Sequence, residues 1–158
     1  MAGAKTDDAI ALLMADHKQV EALFKQYEKL CDSDGSAADR SALAEKICAM
    51  LTVHSTVEEE IFYPFARDAI EEQDLLDEAV VEHASAKDLI EQIRASSPDA
   101  ELYDAKVQVL GEYIRHHVKE EEGELFPKVK KSKADLKAVG IALKARKEEL
   151  SEQLESTH

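Results

Sequence analysis

The chain has no Trp, five Gly, three Pro, two Cys, four Phe and four Tyr in 158 residues. A sandwich or barrel needs frequent turns and aromatic-rich strands, so these shortages exclude that class and leave long helices joined by few turns. Cys31 and Cys48 belong to no C-x-x-C pair and make no disulfide framework; both read as small apolar helix residues. No apolar run approaches the roughly 18 residues of a membrane span. The opening MAGAKTDD also lacks the apolar stretch of a leader, so the expected location is a reducing cytoplasm. Basic residues are scarce as well: 20 against 34 acidic ones, a formal charge of −14. Such a surface repels phosphate backbones and anionic lipid, so neither nucleic acid nor a membrane is an expected partner. G-x-G-x-x-G, the P-loop, a serine-hydrolase elbow and the E-x-x-H motif of ferritin-like di-iron bundles are absent.

What the sequence does have is apolar residues at alternating steps of three and four. The first helix is expected from about Asp8 to Cys31, with Thr6, Asp7 and Asp8 as N-cap oxygens and Asp32-Ser33-Asp34-Gly35-Ser36 as the turn that ends it. The second runs from Asp39 to Tyr63, where Pro64 should break, kink or restart it, leaving a short piece to Ile70. The third begins near Asp74 and ends before Ser96. Ser97-Pro98-Asp99 reads as the N-cap and first turn of the fourth, which reaches Leu125 and is stopped or bent by Pro127. Ser132 and Asp135 suggest a capping box for a fifth. The expected fold is all-α: an antiparallel up-down-up-down four-helix bundle over residues 1–131, with an additional C-terminal helix over 132–158 packing on the bundle or a partner. That helix carries its own stripe, Leu136, Val139, Leu143, Leu150 and Leu154, and gives the chain a possible homodimer or protein-partner surface.

The core stripes carry the chemistry. They read Ile10, Leu13, His17, Val20, Phe24, Tyr27, Cys31, then Ile47, Leu51, His54, Glu58, Ile61, Phe65. The third is Leu76, Val80, His83, Ala86, Ile90, Ile93, and the fourth Val107, Leu110, Ile114, His117, Glu121. Each helix therefore aims one histidine inward, and two add a glutamate one turn later. An internal repeat relates the pairs. His54 through Pro64 matches His117 through Pro127, with Glu four residues after each His and Pro ten residues after it. Asp16-His17 likewise matches Glu82-His83. An approximate two-fold axis would set two similar half-sites face to face.

Each ionisable group buried without a partner costs several kcal/mol, and six of them would exceed a typical stability of roughly 5–15 kcal/mol. Four imidazolium ions against two carboxylates would leave excess positive charge. Metal ions compensate better, because they take neutral imidazole and ionised carboxylate. Bridging by Glu58 and Glu121 gives each of two metals two histidines and two carboxylate oxygens, which leaves open positions. A nitrogen and oxygen set without thiolate suits iron, manganese or zinc. Glu59, Glu60, Glu120 and Glu122 read as a solvated acidic face or as acceptors for the histidine N–H groups. His116 is expected to be exposed, the terminal His158 is not expected to be a ligand, and Lys128 to Lys133 form a basic connector.

Asp16-His17, His54-x3-Glu58 with Pro64, Glu82-His83, and His117-x3-Glu121 with Leu125-Phe126-Pro127 resemble the hemerythrin-like HHE cation-binding family over about residues 8 to 130. The resemblance implies two iron ions as a non-haem di-iron centre with oxo or hydroxo and carboxylate bridges. The metal ligands would be His17, His54, Glu58, His83, His117 and Glu121. Oxygen-carrying hemerythrins have an H-x-x-x-H pair on the third helix, whereas His83 here has Ala79 before it and Lys87 after it. The ligand set is most similar to that of iron–sulfur cluster repair di-iron proteins, whose extra N-terminal domain has no counterpart in this sequence. Glu21, one turn after His17, and Tyr113, one turn before His117, are further candidates near the metals.

Three function classes remain open. The first is a protein that binds or senses O2, NO, peroxide or a related small oxidant, in keeping with a stress response. The second is a di-iron oxidoreductase or iron donor, and the third a metal-stapled interaction module.

Overall fold

The computed structural model describes residues 8–156; Thr6, Asp7 and His158 lie outside them. Asp8 caps the first helix, α1 (Ala9–Asp32), by accepting a hydrogen bond from the Ala11 N–H at 2.8 Å. The chain leaves α1 through Asp34 at φ 55°, a left-handed position that Asp tolerates. Gly35 then passes so close to Leu30 that a Cβ would sit 2.9 Å from its carbonyl oxygen. Ser36 caps α2 (Ala37–Val57), accepting from the Asp39 N–H at 3.1 Å.

Pro64 and Pro127 restart their helices, each standing in the first turn of a new α segment. Five-residue π-helical turns, Glu58–Phe62 and Glu121–Leu125, come just before α3 (Tyr63–Ala69) and α6 (Phe126–Lys131). The Tyr63 N–H donates to the Glu58 carbonyl and the Phe126 N–H to the Glu121 carbonyl, five residues back in each case. The wider turn leads directly into the α segment that carries the proline at its start, where a missing N–H is tolerated. The extra residue also shifts the phase of everything after it. Phe62, Tyr63 and Ala66 are buried in place of Ile61 and Phe65. Leu125, Phe126 and Val129 fill the equivalent places in the other half.

Helix α4 (Gln73–Ala95) follows the expected third segment, except that Ala79 rather than Val80 faces inward; Val80 is 44% exposed. The expected helical start at Ser97-Pro98-Asp99 is instead a pair of turns, and α5 (Tyr103–Glu120) begins later. Arg40 from α2 explains the delay. Its guanidinium donates to the Pro98 carbonyl at 3.2 Å and to Asp104 at 2.8 Å, so that carbonyl is taken from the helical ladder. Asp135, not Ser132, caps α7 (Leu136–Ser156), accepting from the Ala138 N–H at 3.1 Å.

Helices α1, α2, α4 and α5 form the bundle, with α1 beside α2 and α5, and α4 beside α5 and α2. Helix α7 lies on α1, α2 and the first π turn. It buries Leu143 there, while Leu136, Val139 and Leu150 are partly covered. The apolar interior is split in two. One cluster holds Leu13, Val57, Phe62, Ala79 and Leu125; the other holds Val20, Leu51, Ala86 and Leu110. Along each bundle helix the switch between clusters falls at a histidine, so a polar layer lies between two oily ones. No helix among the described residues is long and apolar enough to cross a membrane.

Candidate metal centre

The polar layer contains His17, His54, Glu58, His83, His117 and Glu121, all buried. Ligand atoms of His17, His54, Glu58 and Glu121 lie within 4.8 Å of one another, and a second group joins Glu58, His83 and His117. Glu58 thus belongs to both groups. Its Oε1 is 3.2 Å from His54 Nε2 and 3.1 Å from His83 Nε2. Glu121 spans the layer too, with Oε1 3.1 Å from His17 Nε2 and Oε2 3.2 Å from His117 Nε2. The ring pairs repeat the internal symmetry. His17 and His54 stand 5.0 Å apart and His83 and His117 4.8 Å apart, both at 63°.

Every imidazole is held from behind by its own carboxylate. His17 Nδ1 is 2.6 Å from Glu122 and His83 Nδ1 is 2.8 Å from Glu59. His54 Nδ1 is 2.8 Å from Asp16 and His117 Nδ1 is 2.7 Å from Glu82. An ionised carboxylate only accepts, so each Nδ1 carries the proton it donates. In the neutral ring this leaves the Nε2 lone pair facing inward, the tautomer a metal ligand needs. Asp16 is further held by Lys147 of α7, and Glu59 by Lys87 at 2.7 Å. Replacing Asp16 with alanine is expected to weaken metal binding 10- to 100-fold, the usual effect of losing such a partner. Competition against a chelator checks this, and unchanged affinity would deny Asp16 the role.

The donors fit a metal. His17 Nε2, His54 Nε2, Glu58 Oε2 and Glu121 Oε1 are buried without any hydrogen-bond partner, although they stand close to one another. All four belong to residues of the first half-site. In the second, the Tyr63 hydroxyl donates to Glu121 Oε2 at 2.7 Å and lies 3.1 and 3.3 Å from Nε2 of His83 and His117. Its repeat counterpart, Phe126, stacks on His17 at 6.0 Å with rings 3° from parallel. Tyr63 is the site residue that the periodic reading missed. The signal was present as the Tyr-for-Phe difference nine residues after each repeat histidine, but the π turn was needed to aim it inward. Burial, with the charges of Glu121 and Glu58, holds the Tyr63 phenol well above its ordinary range. Tyr63→Phe is expected to keep the metal content while removing any phenolate-to-metal absorption from the visible spectrum. An unaltered spectrum would place the phenol outside the ligand set.

Of the remaining candidates, Glu21 pairs with Arg115 at 2.8 Å, away from both half-sites, while Tyr113, 47% exposed, lines the cavity beside the four histidines. Glu60 pairs with Arg146 of α7 at 2.8 Å, while Glu120 meets His116 on the surface.

Electrostatics in the metal-free cluster favour charged pairs. Burial alone would lower the His117 pKa, but Glu121 beside it outweighs burial and pushes it up to about 10. Burial likewise opposes protonation of His54, which Glu58 and Asp16 overcome, raising it well above its usual value. Glu58 is held well below the usual carboxylate range, since His54 and His83 outweigh its burial. Protonation of His117 therefore stabilises the metal-free fold fully below about pH 6.5, and that contribution disappears as pH rises through about 10. The Glu58 contribution is present above about pH 4.5 and fades as pH falls below it. A metal must displace the imidazole protons, so loading at pH 7 is expected to release protons and affinity to climb with pH. Calorimetry in buffers of different ionisation enthalpy measures the release; none would mean the imidazoles already stand neutral.

Beside the four histidines, towards Val20, Leu51, Ala86 and Ile114, lies a cavity of about 20 Å³. A water needs roughly 10–15 Å³ on the same measure, so the space takes one small molecule.

A curated "DNA nickase" from Nostoc sp. (strain PCC 7120 / SAG 25.82 / UTEX 2576) is 31% identical over 122 residues, 75% of this chain but 32% of that protein. The chain thus spans about a third of the length of that relative. A solved structure, a hemerythrin HHE cation binding domain-containing protein from Mycobacterium kansasii described as a Rv2633c homolog, shares the fold with a TM-score of 0.74 at 22% identity. That match covers 90% of this chain and 86% of the other. The profile of the Hemerythrin HHE cation binding domain family matches residues 8–129. With its paired histidine and glutamate groups able to hold a metal, the chain belongs to the hemerythrin HHE cation-binding family.

Proposed function

We propose that this chain is a non-haem di-iron protein that binds or senses O2, NO or a related small oxidant. The observation that carries the reading is the buried layer in which four inward Nε2 atoms face two shared carboxylates, next to a cavity sized for one small molecule. His17 and His54 would hold one ion, His83 and His117 the other, with Glu58 and Glu121 bridging. Two iron ions there would supply redox chemistry and exchangeable positions for a ligand. The protein's own part is to fix the ligand tautomers through Asp16, Glu59, Glu82 and Glu122. Its two apolar clusters also keep bulk water from the layer. The nickase name belongs to a protein of which the match covers only 32%, and a chain of charge −14 is poorly suited to approach DNA. Anaerobic reduction followed by O2, and separately by NO, should alter the visible absorption of the loaded protein. Spectra that stay those of the reduced form would remove the reading.

A second reading, a di-iron oxidoreductase acting on peroxide or NO or a donor of iron for cluster repair, is favoured by Tyr63. Its hydroxyl holds a proton beside Glu121 and the second pair of histidines. Turnover of peroxide or NO faster than that of free iron, and slowed by Tyr63→Phe, would select it.

A further inference from the structure

We propose that Glu82, His116 and Glu120 form a surface capture site for a divalent first-row cation, which passes from there between α4 and α5 to the buried centre. The delivery half of this inference rests on the dinuclear reading above. One imidazole nitrogen and two carboxylate oxygens lie within 4.8 Å of one another. His116 and Glu120 are one helical turn apart and in contact; Glu82 reaches across from α4, with Oε2 3.7 Å from His116 Nε2. A nitrogen and oxygen set without thiolate suits ions such as Fe²⁺, Mn²⁺ or Zn²⁺. Three protein donors on an exposed face leave the other positions to water. Binding there is weak and exchangeable, as capture requires, and the negative surface gathers cations towards it.

A surface ion pair would account for His116 and Glu120 alone. Two further observations do not follow from an ion pair. Glu82 divides its oxygens: Oε2 faces His116 while Oε1 accepts from His117 Nδ1 at 2.7 Å, so one carboxylate touches both the surface cluster and a ligand of the buried centre. Beneath the cluster is a cavity of about 10 Å³ walled by Leu75, Ala79, Glu82, Glu120, His117 and Glu121. Its walls join the cluster to His117 and Glu121, whose Oε2 is 3.2 Å from His117 Nε2. The space is at the limit for one water, and a bare first-row cation is smaller than water. Carboxylates at both ends can exchange for the water such an ion loses.

The test uses the full-length metal-free protein under anaerobic conditions. Titration with Co²⁺ should show the buried pair plus one weaker cation in the wild type. His116→Ala and Glu120→Gln should each remove the weaker event alone. In stopped-flow mixing with Fe²⁺, both variants should load about tenfold more slowly, the low end of electrostatic focusing effects, and reach the wild-type metal content. Absence of the weaker event in the wild type, or its survival in both variants, overturns the capture site. Equal loading rates overturn the delivery route. Failure of the dinuclear reading would show separately, as a wild type that takes no buried pair while His116→Ala still removes a surface cation.

Discussion

Replacing Glu121 with alanine is expected to cut bound metal from two ions per chain to one or none, with the helical fold retained. Glu121 is 2% exposed and faces both half-sites, Oε1 towards His17 and Oε2 towards His117. On the dinuclear reading its loss removes a ligand from each ion at once. Loss of a mere orienting partner costs 10- to 100-fold in affinity, so loss of a shared ligand should exceed about 100-fold. The fold should survive on balance. Breaking a buried pair costs about 3–5 kcal/mol against a typical stability of roughly 5–15 kcal/mol, and His117 can give up its proton. The internal repeat makes Glu58→Ala an equivalent experiment with the same expected result. Metal analysis after dialysis, with circular dichroism, decides the matter. Two ions retained in either variant would show that the carboxylates do not bridge.

Stripping the metal is expected to lower the melting temperature by roughly 8–16 °C. The size follows from linkage. A ligand present at about a thousand times its dissociation constant stabilises the fold by about 4.1 kcal/mol, and each kcal/mol moves the midpoint of a domain this size by roughly 2–4 °C. Ion pairs such as His54 with Glu58 keep the metal-free fold together, and for that reason a loss of midpoint rather than unfolding is expected. Unchanged midpoints with and without chelator would mean those pairs already satisfy the layer.

The inward histidines and glutamates were legible because steps of three and four hold from Ile10 to Tyr27, from Ile47 to Glu58 and from Val107 to Glu121. That periodicity fails where the helix itself changes. After Glu58 the π turn adds a residue, so Phe62 and Tyr63 enter the core where Ile61 and Phe65 were expected. Helix boundaries set by distant groups were also hidden. Arg40 holds the Pro98 carbonyl from 58 residues away, which no local reading of Ser97-Pro98-Asp99 contains. The repeat paired Asp16-His17 with Glu82-His83, yet each acid serves a histidine on the neighbouring helix, His54 and His117 respectively. Pattern showed which side chains point inward, and only packing showed which of them meet.

X-ray absorption at the metal edge of the freshly purified protein bears most directly on whether the layer holds a pair of ions. The account expects a first shell of nitrogen and oxygen without sulfur, and a second metal at about 3.5–4 Å or less. A spectrum with no metal–metal scattering at full occupancy, or with sulfur in the first shell, would contradict it.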